Sequence, residues 1–500
     1  MLIANRGEAA VRIIRTCKVL GVRTVAVYSD VDAESLHVKL ADETYAVGPA
    51  DPQASYSNIP RILRVAKRAD VDAIHPGYGY LSENPGFALA CRKAGVRFVG
   101  PSPHTLSITE NKIECRRVAR ERGVPTLPGT ESILDDPDSG ERFAEEIGYP
   151  VMLKATYGGG GRGIREVKGR TEFRELFKRA NSEAKAAFGK PGLFVEKLIK
   201  PARHIEFQFL SDGRGKVIHL GERECSIQRR HQKLVELTPS PALDEEARRE
   251  IGRYAVTVAE SIQAENAGTV EFLMDKDGNF HFIEVNARLQ VEHPVTEAVT
   301  GIDIVEEQLL IAAGEGLQFS QGDIFPRGAA IECRINSEDP SAGFVPSVGI
   351  VTELSLPSGP GMRVDTALYP GCKVTEHYDS LVAKVIAWDR TLEGARRRMV
   401  LALREFQIDG VRTTIPFHEE LVTSDPFIQW DLSTDFLERY HLVEAARHTS
   451  SEEEANIEAV AIAAALLMSD AHKRISPEKG GRANWHEESE EERSRYFDAP

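Results

Sequence analysis

Glu271 and Glu284 are spaced so that their carboxylates can act together. The run TVEFLMDKDGNFHFIEVNARLQVEH covers residues 269–293, and its Asp277-Gly278 dipeptide is a hairpin-turn signal between two strand-like segments. With that dipeptide at the turn centre, Glu271 faces Glu284 directly across the strand pair. Two opposed carboxylates destabilise a sheet unless a cation lies between them. The amide of Asn286, two residues further on the same face, completes an all-oxygen partial shell suited to Mg²⁺ or Mn²⁺.

The same run alternates beyond the pair. If its backbone stays extended, Ile283, Val285, Ala287, Leu289 and Val291 point one way and Glu284, Asn286, Arg288, Gln290 and Glu292 the other. An ordinary strand with one solvated face has the same pattern. This polar face differs in concentrating two acids, an amide pair and an arginine beside a candidate metal site. Similar groups recur in RHIEFQFL, which sets His204, Glu206 and Gln208 against Ile205, Phe207 and Phe209. CSIQRRHQK supplies Gln228, His231 and Lys233, and IECRIN carries Arg334 on its polar side.

A glycine loop, YGGGGRG, joins two further strand-like runs, VMLKA and IREV, and holds Gly159 and Gly160 at its centre. A P-loop requires a lysine and a hydroxyl residue leading into a helix, so this is not one. Consecutive glycines alone make only a flexible turn. Lys154 before the loop and Arg162 within it add cations beside a backbone able to wrap phosphate oxygens.

These residues must be positioned by several domains, because 500 residues exceed one ordinary core. Residues 2–100 alternate short apolar strands with helical stretches, a β-α-β pattern that implies a parallel sheet. The first turn, ANRGEAAVRI, lacks the G-x-G-x-x-G of a dinucleotide site, which counts against a nicotinamide oxidoreductase. Residues 112–200 read as helix, strand, glycine loop, strand, helix and strand. Alternating strands fill 203–310, and a further α+β segment spans about 327–443. The expected units are 1–110, 111–327, 328–445 and a tail, 446–500. Residues 451–500 hold 12 acids against 6 bases. Ser451 and Glu454 have capping-box spacing ahead of a stripe of Ile457, Val460, Ala461, Ala464, Leu467 and Met468, a helix that covers its own protein or, less readily, docks a partner.

Composition narrows the function. At 41% hydrophobic and 28% charged residues the chain has a globular balance, and no apolar run reaches the roughly 18 residues of a membrane span. A net charge of −15 excludes general nucleic-acid affinity. The start shows no signal-peptide pattern, so the cytoplasm is expected. The six cysteines contain no C-x-x-C pair and are expected to be reduced structural thiols.

In order along the chain, ANRGE, HPGYGYLSEN, YGGGGRG, ERECSIQRRHQK, GTVEFL, FIEVNARLQVEHPVTE and IECRIN resemble biotin carboxylase, an ATP-grasp ligase, over about residues 2–440. The resemblance implies a mixed α/β and α+β fold. It would consist of a Rossmann-like N-terminal domain, an ATP-grasp domain with a mobile lid at about 130–200, and a C-terminal α+β domain. It implies that Lys112, Lys154, Glu196, Lys197, His204, Gln228, His231 and Leu273 contact ATP, and that Glu271, Glu284 and Asn286 hold the metal. Lys233, Arg288, Gln290 and the backbone of Val291 match a bicarbonate pocket, Glu292 the base that deprotonates bicarbonate, and Arg334 the group that stabilises the biotin enolate. Tyr78 and Asp379 resemble residues near the biotin pocket.

Departures from the family pattern are few. Ala287 replaces a common threonine, Leu237 stands where an acid is frequent, and the chain begins almost inside its first strand. Members of the family serve as the biotin carboxylase component of acetyl-CoA or propionyl-CoA carboxylase, or of a two-subunit pyruvate carboxylase. Expected partners are a biotin carboxyl carrier protein, a carboxyltransferase and a second copy of the chain. No methionine here is followed by lysine, the dipeptide that carries biotin in this family. Two rival readings are a carbamoyl-phosphate-forming ATP-grasp ligase and a catalytically dead scaffold.

Overall fold

The architecture comes from a computed structural model that describes residues 1–157, 163–188 and 192–444. Gly159, Gly160 and the acidic tail lie outside the described residues. Five short strands form an all-parallel sheet: β1 (Leu2–Ile3), β2 (Val25–Ser29), β3 (Glu43–Gly48), β4 (Ala73–His75) and β5 (Arg97–Phe98), in the order β3-β2-β1-β4-β5. Leu2, Ile3, Val25, Val27 and Ile74 in its centre are fully buried because helices cover the sheet on each side. Helices Ile59–Arg68 and Pro85–Lys93 start where Asn58 and Asn84 cap the free N–H groups of Arg61 and Phe87 ahead of a proline-containing first turn.

A three-stranded antiparallel sheet follows, with β6 (Val151–Ala155) between β7 (Arg165–Val167) and β8 (Leu193–Lys197). Helices Pro137–Ile147 and Arg170–Phe188 back it, and Val151, Leu153, Phe173, Phe177 and Val195 give it a core of its own.

The largest sheet has eight strands. It begins with β9 (Arg203–Asp212), β10 (Val217–Arg229), β11 (Gln232–Thr238), β12 (Glu265–Met274), β13 (Phe280–Asn286) and β14 (Ala329–Asn336), and continues through Leu381–Asp389 and Met362–Thr366. The order is β13-β12-β9-β10-β11-β14 followed by those last two strands, so hydrogen bonding runs unbroken across the boundary expected near residue 328. One face packs on helix Glu245–Ser261 through Ile205, Phe207, Phe209, Val270 and Phe272. Further along, helix Leu392–Glu405 packs through Met399, Ala402 and Leu403 on Ile331, Cys333 and Val385. The α/β and α+β class expected from the sequence holds. The six cysteines are free and buried. Among the described residues no helix is long and apolar enough to cross a membrane.

Two expectations about the 269–293 run need correction. The loop is not a two-residue turn: Met274 pairs with Phe280, leaving five residues whose amides at Asp277 and Asn279 donate to Asp275 Oδ1. Phe272 therefore pairs with Phe282, and a bulge before Glu284 restores the Glu271–Glu284 opposition. The extended backbone also ends early, at Asn286, and Glu292 becomes the residue preceding helix His293–Thr300. Its side chain still reaches the polar face, now from a turn instead of a strand.

Candidate functional site

The sheet register brings more acid together than the hairpin alone implies. Glu271 is directly opposed by Glu284 on β13 and by Glu206 on β9, and Glu206 is opposed in turn by Arg223 on β10. Three carboxylates and a guanidinium thus cross four adjacent strands in one row. Such a row is tolerable only with cations beside it. Lys233 Nζ supplies one, contacting Glu206 at 2.7 Å, Glu271 at 3.1 Å and Glu292 at 2.6 Å. Lys112 pairs with Glu284, and Arg223 Nε donates to Glu206 at 2.5 Å. Burial and the nearby Lys154 bring Lys112 down to about 8.

Around Glu271 the polar side chains interlock. Gln228 Nε2 donates to Cys225 O at 2.8 Å and lies 2.7 Å from His204 Nδ1, so that ring nitrogen is the acceptor. His204 Nε2 then carries the hydrogen toward Glu271 Oε2, 2.9 Å away. Asn286 Nδ2 donates to Glu271 Oε1 at 2.8 Å. Arg288 donates to Asn286 Oδ1 at 3.2 Å and to Gln290 Oε1 at 2.6 Å, and Gln290 Nε2 reaches Thr269 Oγ1 at 2.8 Å. Glu83, from the N-terminal region, lies 3.2 Å from Arg288 Nε.

Glu292 links two halves of this site. Oε1 accepts from Lys233, and Oε2 accepts from Arg334 Nη2 at 2.9 Å. Burial alone would raise its pKa, but Lys233 and Arg334 hold the carboxyl below the usual range. Arg334 Nε also donates to the buried Glu236 at 2.6 Å. Val291 O accepts from Lys384 Nζ at 2.9 Å.

The nucleotide-contacting candidates gather less completely. Lys154 pairs with Glu196 across β6 and β8, and Arg116 Nε lies 3.2 Å from the same carboxylate. Lys197 instead donates to Gly148 O at 2.7 Å. Leu273 stands beside His204 across β9 and β12. His231 occupies the exposed turn between β10 and β11, where it and Arg230 both have positive φ. Tyr78 lies near the site, its ring centroid 5.7 Å from Lys384 Nζ. Asp379 is exposed and accepts from Leu381 N at 2.9 Å, just before the strand Leu381–Asp389 begins.

Two acids and an arginine at the centre, Glu206, Glu236 and Arg223, are not singled out by the sequence. Glu206 is visible there only as one member of an alternating strand; its role depends on which strand lies next to it. The donor set of Glu271, Glu284 and Asn286 fits a hard divalent cation, since all three offer oxygen and the carboxylates face each other. Glu206 also lies close to His204 and Glu271, but it is fully buried and already bound by Arg223 and Lys233.

Comparisons with known proteins cover the same residues. The family model described as "Biotin carboxylase, N-terminal domain" matches residues 1–106, "Carbamoyl-phosphate synthase L chain, ATP binding domain" matches 111–320, and "Biotin carboxylase C-terminal domain" matches 332–439. A biotin carboxylase of Nostoc sp. is 49% identical over 438 residues, 88% of this chain and 98% of the relative. A pyruvate carboxylase subunit from Methanothermobacter thermautotrophicus is 47% identical over 88% of this chain and 89% of its own length. Among solved structures, the biotin carboxylase domain dimer of Hydrogenobacter thermophilus 2-oxoglutarate carboxylase, in complex with MgADP, ADP and bicarbonate, superposes with a TM-score of 0.87. It is 48% identical, covering 88% of this chain and 97% of that one.

Proposed function

The chain belongs to the biotin carboxylase family of ATP-grasp ligases, and from that premise we propose that it uses MgATP and bicarbonate to carboxylate biotin held on a separate carrier protein. The observation that carries this reading is Glu292, clasped between Lys233 and Arg334. One carboxylate touches both the cation beside the candidate metal ligands and the arginine assigned to biotin.

The reaction has two steps. In the first, a bicarbonate oxygen attacks the γ-phosphorus of ATP, giving carboxyphosphate and ADP. Glu271, Glu284 and Asn286 would hold Mg²⁺, which neutralises phosphate charge when bound. Lys112, Lys154 and His204, with Glu196, Lys197, Gln228, His231 and Leu273, would contact the nucleotide. Bicarbonate would lie against Lys233, Arg288, Gln290 and the Val291 backbone. Glu292 would take its proton: an anion arriving beside Lys233 competes for that cation, which weakens the hold on Glu292 and raises its proton affinity. In the second step the C–O bond of carboxyphosphate breaks, the released phosphate takes the proton of the biotin ureido N–H, and the carboxyl group passes to that nitrogen, while Arg334 would stabilise negative charge growing on the biotin carbonyl oxygen.

A separate carrier is supported by the lack of any Met-Lys dipeptide in these 500 residues. A carboxyltransferase partner, a homodimer and a cytoplasmic setting complete the proposal. The test is ADP release by the purified chain with MgATP and bicarbonate. Free biotin should stimulate release weakly and a biotinylated carrier strongly, because tethering raises effective concentration. Turnover indifferent to biotin would overturn this reading in favour of another acyl-phosphate-forming ligase. A biotinylated band on a streptavidin blot of the chain would overturn the separate carrier.

A further inference from the structure

Lys384 is a lysine with no solvent exposure, on the strand Leu381–Asp389 directly opposite Arg334. Burying an ammonium is costly unless every hydrogen finds a partner. Its partners come from three separate parts of the chain: Val291 O at 2.9 Å, Glu8 Oε2 at 3.3 Å and Asp365 Oδ2 at 3.9 Å. Asp365 is also bound through both oxygens by Arg363, at 2.9 and 2.7 Å. The lysine therefore holds the turn before helix His293–Thr300 against helix Gly7–Val19, which contains Glu8, and the edge strand Met362–Thr366, which contains Asp365.

The preceding peptide has its own clamp. His293 is fully buried, and its Nδ1 lies 2.7 Å from Gln290 O. A carbonyl can only accept, so Nδ1 bears the hydrogen. Burial holds this imidazole neutral, and its Nε2 has no hydrogen-bond partner among the described residues. The ring acts as a fixed donor to one carbonyl.

Gln290 O belongs to the peptide that contains the Val291 N–H, and Val291 O belongs to the peptide that contains the Glu292 N–H. His293 and Lys384 thus fix the two peptide planes on either side of the Val291 α-carbon. We propose that Lys384 and His293 are positioning residues for bicarbonate, aiming the Val291 N–H and the Glu292 carboxylate together at one small anion. This rests on the reading above that residues 288–292 face bicarbonate. Both act through backbone carbonyls, Lys384 on Val291 O and His293 on Gln290 O.

The test is steady-state kinetics of the full chain, with saturating MgATP and varied bicarbonate, then the reverse. Lys384→Met is made together with Glu8→Gln, so that no carboxylate is left buried without its cation. The double variant should raise the KM for bicarbonate about tenfold, the scale of one lost hydrogen bond, and leave the KM for ATP within about twofold. His293→Leu should do the same, whereas His293→Asn, whose Nδ2 can replace the imidazole Nδ1–H, should restore the bicarbonate KM. A double variant or His293→Leu protein that binds ATP normally and keeps the wild-type bicarbonate KM would overturn the proposal. Gln290→Ala separates the two claims. If it raises the bicarbonate KM while the positioning variants do not, only this inference falls; if it too has no effect, the bicarbonate pocket falls and the inference with it.

Discussion

Arg334 donates from Nη2 to Glu292 Oε2 at 2.9 Å, so the arginine assigned to the second step grips the base assigned to the first. Protonating Glu292 weakens that charge-assisted bond. Deprotonation of bicarbonate would thereby loosen Arg334 at the moment biotin requires it.

Glu292→Gln keeps the size and one acceptor of this side chain and removes the proton acceptor. Bicarbonate-dependent ADP release and biotin carboxylation should fall together, by ~10²- to 10⁴-fold. ADP release at the normal bicarbonate-dependent rate would remove Glu292 from the role of base.

Glu284→Gln bears on the metal site. The Glu284 side chain is partly exposed and pairs with Lys112, so the fold should tolerate the change. The Mg²⁺ concentration needed for half-maximal ATP turnover should rise about tenfold or more, reflecting loss of one charged ligand. Unchanged turnover at limiting Mg²⁺ would show that the opposed carboxylates are neutralised by lysines alone.

How far the sequence reaches is clear from these two acids. Local alternation is enough to put Glu271 opposite Glu284, even though the turn between them is longer than the dipeptide signal implies and only a bulge rescues the register. It is not enough to bring in Glu206 or Glu236, because their neighbours are strands distant in the chain. Nor can alternation tell a solvated polar face from a buried one. His204, Glu206 and Gln208 look like the wet side of a strand, yet all three are buried in the middle of an eight-stranded sheet. The family resemblance supplies roles that periodicity cannot, and the register supplies the contacts that neither can.

Glu307 gives a pH-dependent stability test outside the site. Burial first, and then Glu306 and Asp303, push its carboxyl up to about 7, and Oε2 has no hydrogen-bond partner among the described residues. A raised folded value means that the folded state prefers the protonated acid. Its stabilising effect is complete below the unfolded value of 4.5 and is lost as pH rises through about 7. Glu307→Gln should therefore match the parent in thermal stability near pH 4 and exceed it increasingly up to pH 7, the gain then levelling off. A constant difference in Tm across that range would place Glu307 in a solvated setting.

Arg334→Ala separates the two half-reactions, and its surroundings decide how the result is read. Glu236 is fully buried, with Arg334 donating to its Oε1 and no hydrogen-bond partner for Oε2 among the described residues. Burial already pushes the Glu236 carboxyl up against the pull of Arg334. Once the arginine is gone, Glu236 takes up a proton in place of standing as a bare charge, and the fold should lose only ~1–3 kcal/mol. Glu292 keeps Lys233 as its partner, so bicarbonate can still be activated. The variant should then release ADP in a bicarbonate-dependent way while forming carboxybiotin ~10²- to 10³-fold more slowly, the usual cost of removing a donor from a developing oxyanion. The quantity to measure is the ratio of ADP released to biotin carboxylated, which should rise by the same factor. Adding Glu236→Gln removes any residual effect of the stranded acid and should leave that ratio unchanged. A proportional loss of both activities, with the ratio at its wild-type value, would mean that Arg334 serves to hold Glu292 and takes no part in the transfer to biotin.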